Sequence, residues 1–169
     1  MLSPVRLASF SGTPFVRTVV VVEGAAALAV AGHWRRALFL AGTVGVTGAL
    51  NSGVKRVIRR RRPRPALHVA RPSSSSFPSG QASASVALAG SAAYDIWLGT
   101  RSVPVTAAVA LAGTAWAGAV GYSRVKLARH HISDVAAGYA LGALCLVAAS
   151  VLYRQSPPSR ATGSASDVA

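Results

Sequence analysis

Apolar residues in this chain occur in long runs, and polar or charged residues concentrate in the stretches between them. Each run is close to the length of about 20 residues that a helix needs to cross a bilayer. The runs are rich in Ala, Gly and Val, whose small side chains let helices approach closely in lipid. The pattern predicts an all-α integral membrane bundle of about five transmembrane helices, at about 15–32, 37–57, 80–99, 103–122 and 133–153.

The composition supports a membrane protein of one domain. Of the 169 residues, 51% are hydrophobic and 13% are charged, whereas soluble domains carry about 25% charged residues. We expect a membrane-embedded domain over residues 1–154 and a disordered Ser/Ala/Pro-rich tail over residues 155–169. Cys145 lies inside the last apolar run and is the only cysteine, so a metal site built on cysteines is excluded.

The net charge of +14 points to an anionic partner. The basic residues cluster at the ends of the apolar runs. Basic and aromatic residues do not alternate as they do in many nucleic-acid-binding proteins, so nucleic acid is not the expected partner. The bilayer surface and phosphate ligands are therefore the expected partners.

Five antiparallel spans place three polar stretches on the same side of the membrane. They are the end of the second run, the start of the third run, and the connection between the fourth and fifth runs. The side chains that suggest chemistry fall in these three places. Their coincidence on one side is the strongest structural argument that the sequence offers.

The first two stretches are suited to binding an anion. Lys55 and Arg62 are seven residues apart, which places them on one face of a helix that continues to Pro63. Ser79 and Gly80 open the third run, where free N–H groups at a helix start attract phosphate. Simpler interpretations stay open for both stretches, namely a basic cluster that sets membrane topology and an ordinary helix cap.

The third stretch contains a candidate nucleophile. If His130 begins a helix, Asp134 lies one turn further on the same face and accepts a hydrogen bond from one ring nitrogen. The other nitrogen is then free to attack phosphorus, and Arg124 supplies a fork of donors for phosphate oxygens. The alternative is a basic loop in which Asp134 only caps the last helix.

Taken together and in order, the motifs resemble those of the type-2 phosphatidic acid phosphatase superfamily. They are Lys-x6-Arg-Pro from Lys55, Pro-Ser-Gly from Pro78, and Ser-Arg-x5-His-x3-Asp from Ser123. The resemblance implies a phosphatase with a phosphohistidine intermediate that needs no metal or other cofactor. It assigns catalysis to His130, Asp134 and Arg124, and phosphate binding to Lys55, Arg62, Ser79, Gly80 and Arg124.

The sequence departs from the family pattern in two respects. Members usually have six membrane helices, whereas this sequence predicts five, with the first one missing. The second motif of the family ends in His, and this chain has Gln81 there. Glutamine donates hydrogen bonds but does not deliver a proton at neutral pH, and loss of a general acid typically costs about 10²–10⁴-fold in rate.

Three explanations for Gln81 stay open. The substrate has a good leaving group, such as a diphosphate; another histidine supplies the proton, with His68 and His131 as candidates; or the protein is a weakly active or inactive relative that binds anionic lipid phosphate without turnover. The first two are favoured because the other catalytic residues are all present.

We therefore expect a membrane phosphatase acting on a lipid-linked phosphate or diphosphate. Phosphatidic acid, phosphatidylglycerol phosphate and polyprenyl phosphates all suit a site near the headgroup plane. The plasma membrane of a bacterium is the expected location. Most of the Lys and Arg residues lie at the site end, which favours a cytoplasmic site, although phosphate binding also needs several of them and leaves the side open.

Overall fold

A computed structural model describes residues 3–63 and 75–156 of the chain. This part of the chain is all helical, as predicted. Its helices in chain order are α1 (Pro4–Ser11), α2 (Pro14–Val30), α3 (Trp34–Ile58), α4 (Gly80–Thr100), α5 (Val103–Lys126) and α6 (Ile132–Gln155). The five long helices coincide with the five predicted runs, and the short helix α1 was not predicted.

Fewer helices than the predicted five have the length and hydropathy expected of a membrane span. Within the described residues, α3, α5 and α6 are each long and apolar enough to cross a membrane. Helices α1 and α2 qualify together as a fourth span with a 52° bend. The predicted count of about five is therefore not confirmed. Helix α4 has 21 residues but is too polar to qualify, because it contains several serines, a glutamine and an aspartate.

Helix α4 lies at the centre of the bundle and packs against α3, α5 and α6. Its polar residues Ser83, Ser85 and Ser91 are buried among these neighbours. An apolar cluster joins α3 and α4 through Leu40, Val44, Ala87 and Leu88, and side chains of α2 and α5 pack against it. The low hydropathy of α4 thus reflects contact with protein.

The outer surface of the bundle is apolar. Large hydrophobic side chains point outward from several helices, among them Phe15, Val46, Leu111 and Leu144. Such a surface suits contact with lipid tails. Much of the apolar composition of the chain can therefore face lipid and does not need to be buried in a protein core. The predicted tail over residues 155–169 lies outside the described residues except for Gln155 and Ser156.

Candidate active site

One cavity of about 330 Å³ lies at the end of the bundle where α3 and α5 end and α4 and α6 begin. Five cationic side chains line it, and none of its lining residues in the described part of the chain is an Asp or Glu. The cations come from α2, from the last turn of α3 and the chain just beyond it, and from α5 with its following turn: Arg17, Lys55, Arg62, Arg124 and Arg129. His130, Gly80 and Gln81 share this lining. The three polar stretches therefore meet in a single site.

Lys55 and Arg62 meet in the site, but not by sharing a helix face. Helix α3 ends at Ile58, and Arg59 adopts a left-handed conformation (φ 45°) that stops the helix. Arg62 therefore lies in the connection beyond the helix. Lys55 Nζ donates to the Ser75 carbonyl oxygen at 2.8 Å, and Arg62 Nη2 reaches the same oxygen at 3.4 Å. The expectation of a helix continuing to Pro63 was wrong, because the left-handed residue ends it earlier.

The start of α4 presents Gly80 and Gln81 to the cavity, while Ser79 has a different environment. The N–H of Ser79 donates to the Asp134 carbonyl oxygen at 2.8 Å. The Ser79 hydroxyl is fully buried and finds no hydrogen-bond partner in the described part of the chain. The first N–H groups of a helix have no acceptor within the helix, so those at Gly80 and Gln81 suit a phosphate oxygen.

Gly80 packs closely against the side chain of Asn51. A Cβ at Gly80 would lie 3.1 Å from Asn51 Oδ1, so the Asn51 side chain would have to shift by a few tenths of an ångström to accommodate it. Asn51 is buried and donates through Nδ2 to Ser83 Oγ at 3.2 Å. It thereby fixes the end of α3 against the first turn of α4. The absence of a side chain at Gly80 lets the backbone approach a ligand from this side.

Arg124 lies in the last turn of α5 and is almost fully buried. Its Nη2 group contacts the Ser9 hydroxyl of α1, and its Nε donates to Ser123 Oγ at 3.3 Å. The Arg124 carbonyl oxygen accepts from the N–H groups of both Arg129 and His130, at 3.0 and 3.2 Å. The turn after α5 thus folds back and carries His130 to the cavity.

His130 precedes α6 and does not begin it, because the helix starts at Ile132. The imidazole is buried, with Nδ1 2.7 Å from the Ser76 carbonyl oxygen and Nε2 3.2 Å from Arg62 Nη1. A carbonyl oxygen only accepts and a guanidinium only donates. Both contacts therefore require the proton on Nδ1 and a lone pair on Nε2, the nitrogen at the Arg62 side.

Asp134 does not make the predicted hydrogen bond with His130. Its Oδ2 atom lies 3.7 Å from His130 Nδ1, beyond hydrogen-bond distance, because the Ser76 carbonyl occupies that nitrogen. Oδ2 instead accepts from the His131 N–H at 2.8 Å, and Oδ1 accepts from Arg60 Nη1 at 2.8 Å. The fully buried carboxylate therefore joins the chain beyond α3 to the start of α6 and stays close enough to favour positive charge on His130.

The electrostatic environment favours the neutral form of His130. Burial, followed by the positive charge of Arg62, lowers the pKa of His130 to about 4. Burial and the charge of Arg129 also lower the pKa of Arg62. A concentration of cations in a half-buried cavity disfavours further positive charge and attracts an anion. The His130 imidazole is consequently unprotonated at neutral pH.

Of the two histidines that were considered as substitutes for the missing proton donor, the structure describes only His131. His131 caps α6 and its Nδ1 lies 3.2 Å from Asp134 Oδ2, and it does not line the cavity. These contacts of His131 argue against the predicted role of His131 as a substitute proton donor. His68 lies outside the described residues. Gln81 lines the cavity, and its Oε1 atom is buried with no hydrogen-bond partner in the part of the chain that the structure describes.

Several groups at the site were missed by sequence reasoning. The Ser76 carbonyl carries no side-chain signal, and Arg60 belongs to a basic cluster for which a role in membrane topology is a sufficient explanation. Asn51 offers a usable signal, because it is a polar amide at the end of an apolar run, close to a basic cluster. Arg17 lies outside the three motifs and Arg129 occupies a variable position of the third, and both line the cavity.

Fold and site together define an all-helical protein with apolar outer faces and a polybasic cavity beside a buried histidine. The sequence model of the PAP2 superfamily matches residues 36–158, well over half of the chain. The chain therefore belongs to the PAP2 superfamily, as the three motifs predicted. Helices α1 and α2 lie outside the matched region.

A solved structure supports the same assignment. The chain resembles the crystal structure of a transmembrane PAP2-type phosphatidylglycerolphosphate phosphatase from Bacillus subtilis, with a TM-score of 0.75 and 26% sequence identity. The similarity covers 92% of this chain and 78% of that one. A search of curated proteins finds no significant match.

Proposed function

We propose that this protein hydrolyses a phosphate ester or diphosphate of a membrane lipid through a phosphohistidine on His130. One observation carries the proposal. The Nδ1 atom of His130 is held by the Ser76 carbonyl at 2.7 Å, while Nε2 is left as a base beside a cationic cavity. This is the arrangement that nucleophilic attack on a phosphorus atom requires.

In the proposed reaction, the substrate phosphate enters the cavity and takes the place of His130 Nε2 as the partner of Arg62. Lys55, Arg62 and Arg124 then neutralise its oxygens, and the N–H group of Gly80 donates to one of them. Nε2 attacks phosphorus in line with the leaving oxygen. Phosphoryl transfer depends mainly on positioning and charge stabilisation, which these residues supply.

The Nδ1 proton stays on His130 during attack, so the ring becomes positively charged when the N–P bond forms. The Ser76 carbonyl accepts that proton's hydrogen bond, and the Asp134 carboxylate at 3.7 Å stabilises the charge. Asp134 thus acts through its charge and through the chain segments that it joins. Water then cleaves the phosphohistidine and regenerates the neutral imidazole. The proposed steps use no metal.

The membrane location favours an amphiphilic substrate. The cavity lies at one end of helices that are apolar on their outer faces, so a phosphate headgroup reaches it while hydrocarbon chains remain in the bilayer. Phosphatidic acid, phosphatidylglycerol phosphate and polyprenyl phosphates fit this description. The similarity to a phosphatidylglycerolphosphate phosphatase supports this substrate class. We place the protein in the plasma membrane of a bacterium.

The test is phosphate release by the purified full chain in detergent, with lipid phosphates as substrates and a metal chelator present. His130→Ala is expected to reduce release to background. His33→Ala is the matched control, because His33 precedes α3 at the other end of the helix from Lys55 and is exposed. Release that survives His130→Ala would contradict the mechanism.

Gln81 favours a second candidate function, in which the protein binds anionic lipid phosphate without turnover. Saturable binding of phosphatidic acid vesicles, with no phosphate release and no acid-labile phosphohistidine after incubation, would support that function. Trapping of a phosphorylated His130 would exclude it.

A further inference from the structure

Arg17 and Arg129 line the cavity, but neither is a residue that the three motifs specify, since Arg129 occupies a variable position of the third motif. Arg17 lies in the first turns of α2, outside the region that matches the family, and Arg129 lies immediately before His130. Both side chains are half-buried. Their guanidinium groups make no hydrogen bond or ion pair with any residue in the ranges 3–63 and 75–156.

A half-buried guanidinium without an acceptor is costly, since it has lost water and gained no partner. In contrast, Lys55 and Arg124 each donate to a protein oxygen. The cavity therefore contains two cations that are ready for an anion beyond those of the motifs. None of the described lining residues is an Asp or Glu, so a bound anion would supply the counter-charge inside the cavity.

The number of cations exceeds what one phosphate needs. A phosphate monoester carries roughly −1.5 to −2 charges at neutral pH, and Lys55, Arg62 and Arg124 already exceed this. A cavity of about 330 Å³ also leaves room beside a single phosphate group. A second phosphate unit attached to the first would use both the additional charge and the additional space.

Gln81 is the independent observation that agrees with this reasoning. An amide at position 81 does not protonate a departing alkoxide. A leaving group that is itself a phosphate needs little protonation, because its negative charge is delocalised and arginines can neutralise it. The missing proton donor and the surplus cations thus indicate the same class of substrate.

We propose that Arg17 and Arg129 form a second phosphate subsite and that the preferred substrate is a diphosphate ester of a lipid-like alcohol. This inference rests on the proposed function, since it assigns a substrate class to the same cavity. The terminal phosphate binds among the motif residues next to His130, and the inner phosphate binds to the two additional arginines.

The reaction balances without a general acid. A bond forms between His130 Nε2 and the terminal phosphorus, and the bond from that phosphorus to the bridging oxygen breaks. The electron pair stays on the bridging oxygen, which leaves as part of a monophosphate ester neutralised by Arg17 and Arg129. Water then attacks the phosphorus on His130, the P–N bond breaks, inorganic phosphate leaves, and one water proton passes to solvent.

The first test measures binding and is independent of turnover. The purified full chain is titrated by calorimetry with methylenediphosphonate and with methylphosphonate, which it cannot hydrolyse. The diphosphonate is expected to bind at least about 10-fold more tightly, the effect of one charge-assisted hydrogen bond. Arg17→Gln and Arg129→Gln should each reduce this preference. Equal binding of the two phosphonates by the unmodified protein would overturn the proposal.

The matched control is Arg6→Gln, which removes the same charge from an exposed position of α1 that does not line the cavity. It should preserve the preference for the diphosphonate. Thermal unfolding of all three variants checks that they are folded. If Arg6→Gln lowered the preference as much as Arg17→Gln, general electrostatics would explain the result and the subsite would be refuted.

The second test compares kcat/KM for farnesyl diphosphate and farnesyl phosphate. Each cavity variant should lose about 10–100-fold on the diphosphate and much less on the monophosphate. Equal losses on both substrates would refute the subsite while leaving the phosphatase function intact. Phosphate release that is unaffected by His130→Ala would instead refute the proposed function, and the phosphonate preference would still report on the subsite.

Discussion

The contacts of His130 fix the tautomer of its neutral imidazole. The Ser76 carbonyl accepts from Nδ1, and Arg62 donates towards Nε2. Burial and the surrounding cations oppose protonation of the ring. Because such a cluster of cations also attracts anions, the features that keep His130 unprotonated would draw the proposed phosphate substrate towards it.

The ionisation of His130 can be measured directly. Burial lowers its pKa to about 4, so the imidazole should stay neutral as the pH falls from 7 and become protonated only near pH 4. An ordinary histidine is protonated near pH 6.5. NMR titration of the ligand-free protein in detergent should show this, with His130→Ala identifying the signal. A midpoint near 6.5 would mean that burial and Arg62 do not act on this ring.

Gln81 makes a second prediction at the residue scale. Gln81→His should restore a proton donor at the family position. The turnover of a monophosphate ester should then rise, by up to the factor of about 10²–10⁴ that a general acid typically contributes. Hydrolysis of a diphosphate should change little, because its leaving group needs little protonation. The measurement is kcat for farnesyl phosphate and farnesyl diphosphate. An unchanged rate with the monophosphate would show that another group already supplies the proton.

At the scale of elements, the contact between α4 and α6 holds the site together. A Cβ at Gly138 would lie 2.6 Å from the Ser79 carbonyl oxygen, and one at Gly142 would lie 2.3 Å from that of Ser83. The two glycines are four residues apart and let the helix backbones touch, a pattern common in membrane bundles. This contact places the start of α6, and so Asp134, against the start of α4.

Enlarging Gly142 should therefore separate the two helices. Gly142→Val forces a side chain against the backbone of Ser83, and overpacking of this kind costs about 1–3 kcal/mol. We expect a lower thermal unfolding temperature in detergent together with loss of activity. Gly42→Ala is the control, because a Cβ there has no neighbour within 4 Å and alanine favours the helix. Equal stability of the two variants would show that α4 and α6 do not need this close approach.

At the scale of the whole molecule, charge is distributed unevenly along the bundle. The basic residues around Lys55–Arg62 and Arg124–Arg129 lie at the site end. Helix α6 starts at this end and runs to Gln155 at the opposite end. The positive-inside rule relates an excess of basic residues to the cytoplasmic side. If the basic site end faces the cytoplasm, the C-terminal end of α6 therefore lies on the other side of the membrane.

Reporter fusions after Arg154 test this connection. With a cytoplasmic site, the end of α6 lies outside the cytoplasm, so a fused alkaline phosphatase should be active and a fused green fluorescent protein should be dark. Both fusions are needed, because each is silent for one orientation. A fluorescent and phosphatase-inactive pair would place the cavity on the outer side and show that its cations serve phosphate binding more than topology.

The sequence was most informative where side chains alone carry the signal. The runs of apolar residues predicted the five long helices, and the motif residues Lys55, Arg62, Gly80, Arg124 and His130 all line one cavity. The pattern was less informative about spans, since the serines of α4 lower its hydropathy although they face protein. Hydropathy reports composition and does not reveal which neighbour a helix has.

The amino-acid sequence by itself determined an all-helical membrane protein, its family and the identity of its candidate nucleophile, because these follow from hydrophobic runs and from residue types at fixed spacings. Only the tertiary structure decided that Ser76 and not Asp134 holds the His130 Nδ1 proton, that Arg62 reaches the site from beyond a left-handed turn, and that Arg17 joins the cavity. Backbone carbonyls have no sequence signature, and a residue far away in the chain becomes a neighbour only when helices pack.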